Sequence, residues 1–330
     1  MDWKKRRVLV TGAGGFIGSH LTEELLALGA HVTALVHYNS QNSWGYLEGL
    51  AKNPPRNLTV VAGDVRDAAF TAAITQKQDT LFHLAALIAI PYSYVAPQSF
   101  IETNVLGTLN MLEGARTARV RRFIQTSTSE VYGTALYVPI DEKHPLQGQS
   151  PYAASKIAAD QLALSYFRSY GLPVTVVRPF NTFGPRQSAR AIIPTILSSL
   201  LAGNRTLALG ETRPVRDFTF VRDTARAFVA AADSASIGQV FNIGTGTGRS
   251  IADLVKECSA CLDCPRPHLR RDSQRVRPDR SEVWRLIASS RLARRAIHWA
   301  PRVPFTDGLR ETAHYIRQHR ERYKETRYNI

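Results

Sequence analysis

Tyr152 and Lys156 stand four residues apart in Tyr152-Ala153-Ala154-Ser155-Lys156. On a helix that spacing puts both side chains on one face, where an ammonium can lower a phenol's pKa and also hold a ribose. A tyrosinate made in this way is a base able to take a sugar hydroxyl proton as hydride leaves the same carbon. Upstream, Thr126-Ser127-Thr128-Ser129-Glu130-Val131-Tyr132-Gly133 offers hydroxyls and a carboxylate in one short run. Nearer the start, Gly12-Ala13-Gly14-Gly15-Phe16-Ile17-Gly18 follows a short apolar stretch. Glycines there let the backbone turn tightly and approach a pyrophosphate, whose charge is met by amides at a helix N-terminus. Tyr-x-x-x-Lys pairs also occur on plain helix surfaces, and glycine also suits ordinary strand–helix joints, so the argument rests on the three runs together.

These side chains need strands and helices that end in the right places. β-branched apolar runs predict strands at 7–11, 32–36, 58–62, 80–84, 122–126 and 174–178, with helices over 19–28, 100–118 and 152–170 between them. Such alternation predicts an α/β fold, a Rossmann-type doubly wound parallel sheet whose ligands sit at the carboxyl ends of the strands. After Pro179 the rhythm loosens into Pro- and Arg-rich segments. The expected division is a dinucleotide-binding domain with the catalytic residues over 1–180, then a smaller, partly interleaved substrate domain over 181–330, some segments of which return to the sheet.

Of the 330 residues 44% are hydrophobic and 21% charged, with glycine and proline scattered, which excludes a disordered, collagenous or coiled-coil chain. No apolar run approaches the roughly 20 residues of a membrane span. The basic start leads into too short an apolar run for a secretion signal, so a cytoplasmic protein is expected. The net charge is +15, and residues 265–330 carry 17 Lys or Arg against 7 Asp or Glu. An anionic ligand is favoured, although most of those arginines read as a solvated face rather than a nucleic-acid surface. Cys258, Cys261 and Cys264 have the spacing of metal ligands but no fourth partner. Cys258 and Cys261 instead fall at helical spacing with Ile251, Leu254, Val255 and Leu262 and read as the buried face of a helix. No histidine pair has metal-ligand spacing, so no metal is expected.

In order and spacing these runs resemble the extended short-chain dehydrogenase/reductase family that acts on nucleotide-linked sugars. The resemblance covers nearly the whole chain and implies an enzyme, expected as a homodimer, with tightly bound NAD. Around the dinucleotide it sets Gly12, Gly15, Phe16, Ile17 and Gly18, then His37, Asn39 and Ser40. Asp64 and Val65 fall at the adenine, and Leu84, Ala85, Ala86, Asn104, Thr126 and Pro179 fall along the rest of the cofactor. Tyr152 and Lys156 become the oxidising pair, and Thr128 the hydroxyl that bonds the sugar O4. Asn181, Arg186, Arg190, Arg216 and Arg277 become substrate contacts, with Arg216 and Arg277 clamping the diphosphate. Guanidinium groups suit phosphate oxygens by geometry and charge. Within the family, runs at 38–45, 86–94, 127–133, 138–146 and 185–191 are most similar to the 4,6-dehydratases of the legionaminic acid pathway, which act on nucleotide-linked N-acetylglucosamine.

Two departures keep alternatives open. The second strand ends Leu35-Val36-His37-Tyr38, without the acidic residue that usually binds the adenosine ribose of NAD, and without an arginine for the 2′-phosphate of NADP. After Thr128 stands Ser129-Glu130, where hexose 4,6-dehydratases commonly carry Asp-Glu and UDP-glucuronate decarboxylases carry Ser-Glu. The leading expectation is a 4,6-dehydratase acting on a UDP- or GDP-linked N-acetylhexosamine, with Glu130 taking the C5 proton and Ser129 helping water leave C6. UDP-glucuronate decarboxylation and 4-epimerisation share the first oxidation. A non-catalytic dinucleotide-binding regulator is the rival of another class.

Overall fold

The computed structural model describes residues 2–233, 237–275 and 281–323. Its strands are β1 (Arg7–Thr11), β2 (His31–His37), β3 (Leu58–Gly63), β4 (Thr80–His83), β5 (Arg122–Thr126), β6 (Val174–Pro179), β7 (Asn181–Phe183), β8 (Thr206–Leu209), β9 (Val215–Phe220), β10 (Val240–Ile243), β11 (Gly248–Ser250), β12 (His268–Arg271) and β13 (Arg285–Leu286). The helices are α1 (Phe16–Ala27), α2 (Glu48–Ala51), α3 (Ala68–Ile74), α4 (Ile90–Val95), α5 (Pro97–Phe100), α6 (Gly107–Thr117), α7 (Pro151–Tyr170), α8 (Ile192–Leu201), α9 (Val221–Asp233), α10 (Ile251–Cys261), α11 (Arg291–Ala296) and α12 (Phe305–Gln318).

Seven parallel strands form the main sheet in the order β10-β6-β5-β4-β1-β2-β3. The order reverses between β1 and β4, and ligands of such sheets bind at that switch point, beyond the carboxyl ends. Both faces are covered, which is why the strands read as unbroken apolar runs. On one face Leu21 and Leu25 of α1 pack with Ala225 and Phe228 of α9 over Val10 and Phe82. On the other, Met111 and Leu112 of α6 meet Ala163 and Leu164 of α7 over Leu9, Leu81 and Phe123.

All six strands and the helices expected over 19–28 and 152–170 are present with small shifts of boundary, and β10 supplies a seventh strand from late in the chain. The helix expected over 100–118 is broken, because 101–106 is wound as a π-helix before α6. The chain leaves the main sheet at Pro179 and enters a second at once. There β7 pairs with β9, which also pairs with β11 and β13. Phe183, Leu197, Phe218, Phe220, Leu254 and Leu309 fill the core beneath it. Cys258 is buried in that core on α10 and Cys261, the last residue of the helix, is half-buried beside it, so the helix reading of these two holds; Cys264 lies beyond the helix and is half-buried. Among the described residues no helix is long and apolar enough to cross a membrane.

Candidate active site

The glycine run makes the first wall. Gly12 ends β1 at a φ of 69°, and a Cβ there would meet the Ala85 amide nitrogen at 2.9 Å. A Cβ on Gly14 would stand 2.7 Å from the Trp44 carbonyl oxygen, since the 39–46 segment folds over the loop and Tyr46 N donates to Gly14 O at 2.9 Å. No side chain caps the N-terminus of α1, where Gly15 is the N-cap residue. The result is a backbone-lined cradle at a helix N-terminus, suited to a pyrophosphate.

Beside it, His83 at the end of β4 lies opposite Thr11 of β1. Thr11 Oγ1 accepts the amides of Leu84 (3.1 Å) and Ala85 (3.0 Å) and is 2.9 Å from His83 Nδ1. The Thr11 proton therefore goes to Nδ1. His83 Nε2 carries the ring proton to Thr108 Oγ1 at 3.1 Å, and Thr108 donates to Asn104 O at 2.6 Å. Burial, reinforced by the Lys156 charge, holds this imidazole neutral with its pKa down at about 3.

Asn104 spends its amide on the protein, accepting Leu87 N (2.8 Å) and donating to Leu87 O (3.0 Å) and Ser155 Oγ (2.9 Å). It thus ties the strand following β4 to α7 rather than presenting a free amide to the cleft. At the adenosine end His37 and Ser40 are exposed, and Asn39 organises its own turn through the backbone of His37, Gln41 and Ser43. Asp64 is gripped by Arg66 at 2.6 Å, and its other neighbour is His37 Nε2 at 3.8 Å. The carboxylate nearest the end of β2 is therefore borrowed from the end of β3.

The residues expected to react lie where β5 meets α7. Ser150 caps α7 and Pro151 opens it, so Tyr152 falls in the first turn, facing the cleft. Thr128 Oγ1 accepts the Glu130 amide at 3.2 Å and lies beside the Tyr152 phenol, whose pKa it lowers. Burial pushes the Tyr152 pKa well above the ordinary tyrosine range; the Thr128 hydrogen bond pulls it back, and the charges of Glu130 and Asp160 add to the rise. Lys156 Nζ donates to Thr126 O at 2.6 Å. Burial brings its pKa down to about 8, against an opposing pull from Asp160. The hydrogen bond that lowers the Tyr152 pKa thus comes from Thr128, while Lys156 is anchored on Thr126. Ser129 is buried, and Glu130 half-buried, in the short turn that follows.

Besides Gln125 Oε1 and Asp160 Oδ1, two buried oxygens in this region, both at strand ends, have no hydrogen-bond partner among the described residues: Thr126 Oγ1 at the end of β5 and Asn181 Oδ1 at the start of β7. Buried polar atoms are normally paired. With the glycine cradle, these two fit a bound dinucleotide and a polar ligand. Phe16, Ile17, Val65, Ala86 and Pro179 lie around the same carboxyl ends and are partly or fully buried.

The expected substrate arginines separate. Arg216 on β9 is buried, with Nη2 3.4 Å from Glu282 Oε1, and lies two residues from Phe218, the β9 partner of Asn181. Arg190 is exposed. Arg186 turns away to Glu23 of α1, at 2.7 Å, while its Nη1 stays buried without a partner. Arg277 lies outside the described residues. Sequence reasoning passed over a buried cluster behind Lys156, made of Asp160, Arg178, Tyr132 and Asn242, although Asp160 stands one helical turn beyond Lys156 and Arg178 opens the Arg-Pro-Phe-Asn run.

A Rossmann sheet with a threonine, a tyrosine and a lysine at its carboxyl edge defines a dehydrogenase-like site. The family model described as GDP-mannose 4,6 dehydratase matches residues 9–312, and the chain belongs to that family of nucleotide-sugar dehydratases and epimerases. It is 35% identical to UDP-glucose 4-epimerase of Mycolicibacterium smegmatis, over 94% of this chain and 98% of that protein. It is 33% identical to dTDP-glucose 4,6-dehydratase of an Actinoplanes species, over 95% and 98%. The dTDP-glucose 4,6-dehydratase DesIV of Streptomyces venezuelae, solved with NAD bound, superposes with a TM-score of 0.87 at 33% identity, covering 96% of this chain and 99% of that one.

Proposed function

We propose that this enzyme is an NAD-dependent 4,6-dehydratase acting on a UDP- or GDP-linked N-acetylhexosamine. The observation that carries the reading is the contact of Tyr152 with Thr128, beside a buried Lys156 and next to Glu130. NAD, when bound, supplies reversible hydride acceptance at the sugar's C4, and the 12–18 loop, the 84–86 backbone, Thr126 and Lys156 would hold it. Tyr152 takes the O4 proton, and Thr128 orients that oxygen. A carbonyl at C4 acidifies the C5 proton, which Glu130 removes. The C6 hydroxide, hydrogen-bonded by Ser129, would leave as water with a proton from solvent; the hydride removed from C4 would then be delivered to C6 while Glu130 returns a proton to C5, so that the cofactor ends oxidised as it began. Asn181 and Arg216 bind the nucleotide portion, and the cofactor and catalytic residues belong to 1–180 with the substrate domain mainly over 181–330.

The N-acetylhexosamine rests on the similarity of the 38–45, 86–94 and 185–191 runs to the legionaminic acid pathway dehydratases; the relatives above are named for dTDP-glucose and UDP-glucose. One observation favours a second reading, 4-epimerisation or decarboxylation. Ser129 cannot protonate a leaving hydroxide as a carboxylic acid does, and neither rival needs that step. Mass spectrometry of products from a panel of UDP-, GDP- and dTDP-sugars decides: loss of water supports the proposal, whereas loss of carbon dioxide or unchanged mass replaces it. The expected homodimer has support in Val95, Ile101 and Leu106, apolar and exposed on the 90–106 segment. Light scattering in solution tests it.

A further inference from the structure

Three consecutive residues at the end of β5 each hold one residue of a single face of α7. Thr128 bonds Tyr152, Thr126 O accepts Lys156 Nζ at 2.6 Å, and Ser127 Oγ donates to Asp160 Oδ2 at 2.7 Å. The first two contacts are those of the reaction. The third involves a carboxylate that is 0% exposed and that also accepts Arg178 Nε at 3.1 Å and Nη2 at 3.0 Å. Arg178 is held in turn by Tyr132 (2.9 Å), whose hydroxyl donates to Asn242 Oδ1 at 2.7 Å. The carboxylate is thus fixed by partners from β5 and β6, one helical turn beyond Lys156.

We propose that Asp160 is a positioning residue of the reaction, whose fixed negative charge, one helical turn from Lys156 on the same face of α7, keeps Lys156 in its ammonium form against the Thr126 carbonyl. The inference rests on the assignment of C4 oxidation to Tyr152 and Lys156. Burial alone works against a charged lysine, and Asp160 is the acidic group that works for it. The other titratable or charged groups around the pair are His83 from β4, Glu130 and Tyr132 from the turn after β5, Arg178 from β6, and Glu142 behind it. His83 is neutral, Arg178 is of the wrong sign, and Glu130 faces Tyr152, where its charge raises the phenol pKa. A packing role for Asp160 would predict lower stability and nothing more; an electrostatic role predicts a displaced titration.

Lysine labelled with carbon-13 at Cε reports the Lys156 titration by NMR, its signal assigned by loss in Lys156→Ala. In Asp160→Asn the midpoint should fall by about one pH unit, the effect of removing one nearby opposite charge. The alkaline limb of kcat should move to lower pH with it, while KM changes less than threefold on the order-of-magnitude expectation for a residue outside the substrate site. Because Asp160→Asn leaves Arg178 buried without its partner, Asp160→Asn/Arg178→Gln serves if the single variant does not fold, its Lys156 midpoint being read against Arg178→Gln so that the loss of the opposing positive charge cancels. A folded variant whose Lys156 midpoint is unchanged overturns the proposal. That titration needs no substrate, so a displaced lysine in a wild-type enzyme that turns over no nucleotide sugar upholds the electrostatic role while the assigned reaction falls.

Discussion

Gly18 packs so closely on Gly12 that a Cβ on Gly18 would lie 2.1 Å from the Gly12 carbonyl oxygen. The obstacle is backbone at the junction of β1 and α1, not the end of a flexible side chain, so it cannot give way locally. Gly18→Ala must therefore push α1 off the strand and open the cradle. Overpacking of this kind costs about 1–3 kcal/mol. The variant should unfold at lower denaturant concentration and copurify with less dinucleotide. Retention of wild-type stability and cofactor content would show that the loop tolerates a side chain.

Tyr152 is held by Thr128 on one side and Phe100 on the other, the two rings meeting edge to face at 6.2 Å. Phenylalanine preserves that packing and removes only the oxygen. Tyr152→Phe should lower turnover by roughly 100-fold or more, as loss of a principal general base does, with little change in nucleotide-sugar affinity by calorimetry. Turnover within about tenfold of wild type means that another base takes the O4 proton.

His83 gives the fold an acid-side liability. Both ring nitrogens are committed in the neutral form, Nδ1 as acceptor from Thr11 and Nε2 as donor to Thr108, and burial keeps the pKa down at about 3, against 6.5 for the free side chain. Above pH 6.5 folded and unfolded chains carry the same charge at this site. As pH falls from 6.5 towards 3 the unfolded chain binds a proton that the folded one refuses, so stability declines by up to about 1.4 kcal/mol per unit. His83→Gln, which does not titrate, should be less stable near neutrality yet lose stability less steeply on acidification. Urea denaturation across that range checks the slope; parallel slopes in the two proteins contradict the assignment. His20, with a pKa lowered by burial to about 4, adds a similar but separate decline.

The main sheet was legible because parallel strands covered on both faces must be apolar throughout, and the glycine run marks where β1 gives way to α1. The Tyr152, Lys156 and Thr128 constellation was legible for a related reason: helical spacing and a strand end are local facts. What local spacing cannot convey is who partners whom across the sheet. Nothing adjacent in sequence says that Arg186 reaches back 163 residues to Glu23, so its guanidinium reads equally well as a phosphate ligand. Asn242 joining Tyr132 across 110 residues, and β10 closing the sheet edge, are long-range in the same way. Asn104 was legible as important but not in its manner of acting, because an amide that serves ligand and one that staples Leu87 to Ser155 look alike in a sequence.

Glu130 decides between the three chemistries that share C4 oxidation. It is half-buried in the turn directly after Thr128, and its charge is felt by Tyr152. A dehydratase must remove the C5 proton, and a carboxylate exchanging with water returns deuterium there when the reaction runs in deuterated solvent. Decarboxylation and epimerisation have no obligatory C5 deprotonation. Wild-type product formed in deuterated water should therefore carry deuterium at C5, read by mass spectrometry and proton NMR. Glu130→Gln keeps the shape and loses the base; it should still bind nucleotide sugar but form product at least about 100-fold more slowly, with no exchange at C5. Wild-type product free of deuterium at C5 removes the dehydratase assignment and leaves Glu130 as a substrate-orienting group in an epimerase; a decarboxylase also takes up one solvent proton at C5 when carbon dioxide leaves, and the mass of its product tells it from a dehydratase.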